Sequence, residues 1–189
     1  LGAICAGVKF YAGYPMSPST PIMEFIASMA KDCGIVLEPA EDEIAAMNMA
    51  IGASFAGARA MTATSGGGFC LMVEGLGLAG MTETPVVVVV AQRAGPSTGL
   101  PTRTEQSDLR FAIHAAHGEF PRAVFAPGNV EQAFSLMGKA FNMADCYQTP
   151  VIVLGDQHLN DSYFTVDRID LDGVKIDRGE IVAEGETGS

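Results

Sequence analysis

"PVVVVVAQ", residues 85 to 92, contains five consecutive valines and no polar side chain before Gln92. A strand with one face in water alternates apolar and polar residues. A run that is apolar at every position belongs to a strand covered on both faces, as in a parallel sheet between two layers of helices. Five further β-rich runs lie along the chain: "VKFYAGY" (8 to 14), "IVLEPA" (35 to 40), "ARAMTAT" (58 to 64), "RAVFAPG" (122 to 128) and "PVIVLGD" (150 to 156). Helical patterns fill the intervals. Strands alternating with helices predict an α/β fold, a doubly wound parallel sheet with helices on both faces. The helix from Pro21 is well marked, with Thr20 as its cap, proline in its first turn and Gly34 at its end. The opening "LGAICAGVKF" reads as the second half of a helix running into a strand, so the natural start of the protein is expected elsewhere.

The 189 residues are 48% hydrophobic, with a mean hydropathy of +0.25, enough for one large core. A formal net charge of −11 argues against nucleic acid and anionic membrane surfaces as partners, leaving small molecules and proteins. The four cysteines, at 5, 33, 70 and 146, are too dispersed for a zinc or iron-sulfur motif. With no signal peptide or spanning segment, they read as reduced, core-type thiols of a cytoplasmic protein. His114, His117 and His158 lack metal-ligand spacing and read as structural, so no metal site is expected on this chain. The Met-rich stretch 45 to 49 and "GLGLAG" (75 to 80) read as close-packed core. Composition turns acidic and irregular near the end. Residues 1–164 are therefore expected to form the domain, and 165–189 a linker or the edge of a missing domain.

In open α/β sheets ligands bind beyond the carboxyl ends of the strands. The first such loop, "GYPMSPSTP", holds Tyr14, Pro15 and Ser17; Ser19 and Thr20 suit capping, whereas Ser17 has no capping duty. Another, "TSGGGFC", places Ser65, Gly66 and Gly67 before a helix, where a flat ring or a phosphate could approach backbone N–H groups. No Gly-Lys-Ser/Thr follows, which excludes a P-loop. After the valine strand comes "AQRAGPSTGLPTRTEQSDL", 91 to 109, long enough to be functional. Arg93 at the strand end is placed to recognise a small carboxylate; Arg103 lies mid-loop, where a solvated surface role competes. In "EDEIAAMNMAIGASFAG", 41 to 57, Glu41 and Asp42 suit a helix N-terminus. Glu43 differs, because its helical neighbours Ala46, Met47 and Ala50 set it over the apolar stripe. A carboxylate held there resists ionisation or has a specific partner, the condition used in acid-base catalysis.

"YAGYPMSPSTP", "EDEIAAMNMAIGASFAGARAMTATSGGG", "QRAGPSTGLPTRTEQSDL" and "TPVIVLGDQHLNDSY", in this order over residues 1 to 175, closely resemble the alpha subunit of 2-oxoacid:ferredoxin oxidoreductases, specifically its thiamine-pyrimidine-binding domain. The resemblance implies thiamine diphosphate- and coenzyme A-dependent oxidative decarboxylation of a 2-oxoacid, with electrons passed to ferredoxin. The "GPSTGLPTRTEQSDL" loop looks most like the 2-oxoglutarate branch, ahead of pyruvate. Glu43 matches the glutamate that bonds the cofactor's pyrimidine nitrogen, and Arg93 the arginine near the substrate carboxylate. Ser17 stands where the family usually has threonine, keeping the hydroxyl and losing the methyl. The resemblance further implies a beta subunit carrying the diphosphate, magnesium and iron-sulfur sites, a dimer of heteromers, and no activity from this chain alone. The competing readings are another thiamine-dependent enzyme, of indolepyruvate or transketolase-like type, and a noncatalytic structural subunit.

Overall fold

The computed structural model describes residues 1–182. Six strands, β1 (Phe10–Gly13), β2 (Val36–Pro39), β3 (Ala60–Thr64), β4 (Val86–Gln92), β5 (Ala123–Phe125) and β6 (Pro150–Asp156), form one sheet in the order β2-β1-β3-β4-β6-β5. Every pairing is parallel, and β4 runs beside β6 from Val86↔Pro150 to Gln92↔Asp156. The helices are α1 (Gly2–Cys5), α2 (Thr20–Cys33), α3 (Glu43–Phe55), α4 (Gly66–Met81), α5 (Leu109–His114), α6 (Val130–Tyr147) and α7 (Gln157–Asp161).

The valine run does what its pattern requires. Val86, Val88 and Val90 pack with Ala46, Met47 and Ala50 of α3, Phe69, Met72 and Leu76 of α4, and Ala112 of α5. Val87 and Val89 face the other way, onto Ile26 of α2 and Ala140, Phe141 and Ala144 of α6. Each buried valine contributes about 1.5–3 kcal/mol of gross hydrophobic stabilisation. The strand order also fixes where a ligand can enter. From β1 the chain passes through α2 to the outer strand β2, then returns over β1 through α3 to reach β3. The helices that follow the adjacent strands β1 and β3 therefore lie on opposite faces, α2 with one core cluster and α4 with the other. A crevice opens between their strand ends, the switch point of a doubly wound sheet.

Local signals hold with three corrections. Gly34 ends α2 in the left-handed region (φ 60°), as expected, and Asp42 caps α3 by accepting from the Ala45 N–H at 2.7 Å. Thr20, expected as the cap of α2, is instead its first residue. Ser19 holds the cap position and its Oγ donates to the Met16 carbonyl at 2.6 Å, stiffening the preceding loop. The cysteines are not all core thiols: Cys5 and Cys33 are half-buried, and Cys70 and Cys146 are exposed. Nor are the apolar helices wholly core, since Met49 of α3 and Leu71, Leu78 and Met81 of α4 are exposed.

Residues 165–182 contain no helix or strand, yet part of this stretch lies against α6. Val174 packs onto the second core cluster, and Asn142 Nδ2 donates to the Lys175 carbonyl at 2.8 Å. Arg59, which is buried, ties this stretch to the body. Its Nε meets Asp145 Oδ2 at 2.8 Å, Nη1 the Ala6 carbonyl at 2.6 Å, and Nη2 both Asn142 Oδ1 at 2.8 Å and the Asp177 carbonyl at 2.6 Å. Arg178 reaches the same Asp145 oxygen at 2.7 Å. The last residues of the expected linker, 183–189, lie outside the described residues. Removing one partner of a buried ion pair leaves an uncompensated charge and costs about 3–5 kcal/mol. Arg59→Ala should lower the urea-unfolding free energy by about that amount, with Arg59→Lys recovering only part, because an ammonium cannot supply the fork.

Candidate functional site

The crevice is walled by the loop after β1, the N-termini of α3 and α4, and the long loop after β4. At its base stands Glu43, the first residue of α3 and only 3% exposed. Asp42 holds the helix start, so Glu43 is delivered in helical register above Ala46, Met47 and Ala50, all fully buried. Glu43 Oε1 accepts one weak hydrogen bond, from Thr64 Oγ1 at 3.4 Å, and has no cationic partner among the described residues. Thr64 Oγ1 in turn lies 3.8 Å from Met16 Sδ. A buried carboxylate without a cation bears the full desolvation cost of its charge.

The three glycines that start α4 each answer a different close approach. A Cβ on Gly66 would strike the Asp108 carboxylate, with its Cγ only 3.0 Å away. One on Gly67 would come within 3.3 Å of the Ser97 carbonyl. One on Gly68 would collide with Thr64 Oγ1 and Glu43 Oε1, and lie 2.8 Å from Glu43 Cδ. The run therefore admits the protein's own groups against the helix start on three sides. Ser65, which caps α4 by position, is fully buried, and its Oγ finds no partner among the described residues.

Arg93 is 8% exposed and does not present an open fork. Its Nη1 donates to the Ser17 carbonyl at 2.7 Å and Nη2 to the Thr98 carbonyl at 2.8 Å, stitching the loop after β1 to the loop after β4. Arg93 lies in the wall of the crevice and holds the loop that carries Ser17, with a bond from each terminal nitrogen to a backbone oxygen. Arg103 is exposed at a turn, its N–H donating to the Leu100 carbonyl at 3.0 Å. The long loop is also anchored by Gln92. Buried at the end of β4, Gln92 donates from Nε2 to the Gly155 carbonyl at 3.1 Å and accepts the Asp108 N–H on Oε1 at 2.9 Å.

These elements enclose a cavity of about 520 Å³ lined by Met16, Gly66, Gly67, Cys70, Arg93 and Asp108, among others. Of the residues singled out from sequence, Gly66, Gly67 and Arg93 form its wall. Glu43 and Ser65 are buried, linked to that wall through Thr64 and Met16 in the first case and through chain adjacency to Gly66 in the second. Tyr14, Pro15, Ser17 and Arg103 are exposed on the loops at the rim. A larger hollow of about 950 Å³ lies at the opposite edge, among the C-terminal ends of α3, α4 and α6, away from the strand carboxyl ends. The three histidines are exposed.

Sequence reasoning missed Thr64, Gly68, Gln92 and Asp108. A glutamine closing an apolar strand and a third consecutive glycine were available signals for two of them. Asp108 reads from sequence as an ordinary helix cap, and Thr64 as one more strand residue. Burial together with the nearby Glu105 pushes the Asp108 carboxyl above the usual range.

Residues 1–184 match the family model described as "Pyruvate flavodoxin/ferredoxin oxidoreductase, thiamine diP-bdg". The chain is 50% identical over 200 residues to the alpha subunit of 2-oxoacid:ferredoxin oxidoreductase 1 of Sulfurisphaera tokodaii, covering 98% of this chain and 32% of that relative. To the 2-oxoglutarate synthase subunit KorA of Archaeoglobus fulgidus it is 49% identical over 164 residues, covering 85% of this chain and 47% of the relative. Among solved structures, a 2-oxoglutarate:ferredoxin oxidoreductase from Magnetococcus marinus, with 2-oxoglutarate, coenzyme A and succinyl-CoA bound, superposes with a TM-score of 0.93. That match is 44% identical and covers 99% of this chain and 33% of the other. The chain thus spans between a third and a half of the length of these relatives. An all-parallel sheet with its crevice at the switch point, a buried glutamate at the crevice floor, and similarity along the whole described length agree: the chain belongs to the pyruvate flavodoxin/ferredoxin oxidoreductase family, of which it is a thiamine diphosphate-binding domain.

Proposed function

We propose that residues 1–164 form the pyrimidine-binding domain of the alpha subunit of a 2-oxoacid:ferredoxin oxidoreductase, which oxidatively decarboxylates a 2-oxoacid with coenzyme A as acyl acceptor and ferredoxin as electron acceptor. The first-choice substrate is 2-oxoglutarate, with pyruvate second. The observation that carries this reading is Glu43, a buried carboxylate with a single weak hydroxyl partner and no cation. A structural carboxylate would be expected to have a strong partner. One left waiting suits a proton-sharing bond to a ring nitrogen.

Thiamine diphosphate fits the residues present, because the crevice offers a buried polar atom with nothing to bond, Ser65 Oγ, next in the chain to the Thr64 that holds Glu43. Tyr14, Pro15, Glu43, Ser65, Gly66 and Gly67 would hold its pyrimidine end, and when bound it supplies the electron sink for decarboxylation. Glu43 holds or releases a proton at Oε, Thr64 fixes the carboxylate's orientation, and Gly68 leaves the room that orientation needs. Ser17, Arg93 and Arg103 serve the substrate: Arg93 by fixing the loop geometry through two carbonyls, Arg103 as an exposed guanidinium for a carboxylate. A beta-type partner subunit would carry the diphosphate, magnesium and iron-sulfur sites in a cytoplasmic dimer of heteromers. Among the described residues no helix is long and apolar enough to cross a membrane.

Three measurements on the complex co-expressed with its partner subunit test this. Glu43→Gln should lower 2-oxoacid-dependent dye reduction by about two to four orders of magnitude without preventing assembly; near-normal turnover would return the chain to a structural role. Gly68→Ala, which drives a methyl into Glu43 and Thr64, should cost about a hundredfold in kcat through misplacement of the carboxylate. Arg103→Ala should raise KM for 2-oxoglutarate about tenfold, close to 1.4 kcal/mol, and leave KM for pyruvate nearly unchanged.

A further inference from the structure

Asp108 occupies the position of a helix cap without acting as one. Asp42, Asn129 and Asp156 each accept the backbone N–H three residues on at 2.7–2.8 Å. Asp108 makes no such bond to α5. Its backbone is instead pinned by Gln92, and its carboxylate is turned onto the first turn of α4, so close to Gly66 that no side chain could stand there. The residue lines the 520 Å³ cavity, and its Oδ2 is buried with no hydrogen-bond partner among the described residues. Arg93, in the same wall, makes no ion pair with it; its terminal nitrogens donate to the Ser17 and Thr98 carbonyls.

A buried carboxyl oxygen without a partner is unfavourable unless a ligand satisfies it. Glycine at 66 and the Gln92 tether both hold the group in that costly place. Building on the function proposed above, we infer that Asp108 is a specificity-determining residue which carries a proton in the ligand-bound state and donates it as a hydrogen bond to a carboxylate oxygen of the 2-oxoacid. A bare aspartate would repel such an anion; a protonated one recognises it without adding a cation to the pocket. The charged and titratable groups facing Asp108 support this state. Glu105, from the same loop, raises its proton affinity, as does burial. Cys70, across on α4, is itself pushed up by burial and by Asp108, so it remains a neutral thiol. Arg93 is the cation in the wall. Binding therefore takes one proton from solvent onto Asp108, and affinity must weaken as pH rises above the carboxyl's own pKa.

The test uses the complex co-expressed with its partner subunit. Isothermal titration of 2-oxoglutarate into the cofactor-free complex near pH 7.5, in phosphate and in Tris, reads proton uptake from the difference in heat. Steady-state KM is measured in parallel from pH 6 to 9 on the loaded enzyme. The wild type should take up close to one proton per site, with KM rising with pH. Asp108→Asn, whose amide donates at every pH, should bind without proton uptake and show a flat KM. Asp108→Ala should raise KM tenfold or more throughout. Binding without proton uptake by the wild type, or indistinguishable Asn and Ala variants, would overturn the role of Asp108 while leaving the enzyme assignment standing. Absence of both binding heat and turnover in the wild type would overturn the enzyme assignment and this role with it.

Discussion

The constraint on which everything else rests is that β4 must be covered on both faces. Val86 to Val90 send alternate side chains into two separate cores, and each core needs its own layer of helices. A chain can supply two layers around a parallel sheet only by switching the side on which its connections cross. Here the switch falls between β1 and β3. It leaves an opening that no crossover helix spans, bordered by the loops after β1 and β4 and by the starts of α3 and α4. Where the chemistry can lie is a by-product of how the valines are buried.

The opening is occupied mainly by the protein's own polar groups. Glu43, the Ser97 carbonyl and Asp108 come from three different segments and converge on the start of α4. The helix can receive them because its first three residues lack side chains. In many nucleotide-binding folds consecutive glycines make space for a phosphate; in this crevice they make space for Asp108, the Ser97 carbonyl and the Thr64–Glu43 pair. They position the acids, and the acids are left with unmet hydrogen-bonding capacity.

Much of this was legible in the sequence. The five valines gave the sheet, helical spacing set Glu43 over Ala46, Met47 and Ala50, and Gly34 ended its helix where a left-handed residue was needed. What sequence could not show was direction. Nothing in "QRAGP" says that Arg93 bends back to two carbonyls, because those partners, Ser17 and Thr98, are fixed only by the fold. Asp108 has the sequence context of a cap, and only the tether from Gln92 turns its carboxylate elsewhere. Thr20 was misplaced by one residue because Ser19, an equally good capping residue, serves the Met16 carbonyl instead. The exposure of Leu71, Leu78 and Met81 was hidden by composition, since a helix that is apolar all round reads as fully buried.

The Gln92 tether has one more consequence. Because the same amide side chain grips the far end of the long loop and the neighbouring strand's Gly155, the segment between Arg93 and Ser107 is a circuit closed at its two ends by one residue. Lengthening such a circuit is thermodynamically cheap, since doubling a flexible loop costs only about 0.6 kcal/mol in closure entropy. Insertions and deletions there can accumulate without disturbing the sheet or the buried glutamate.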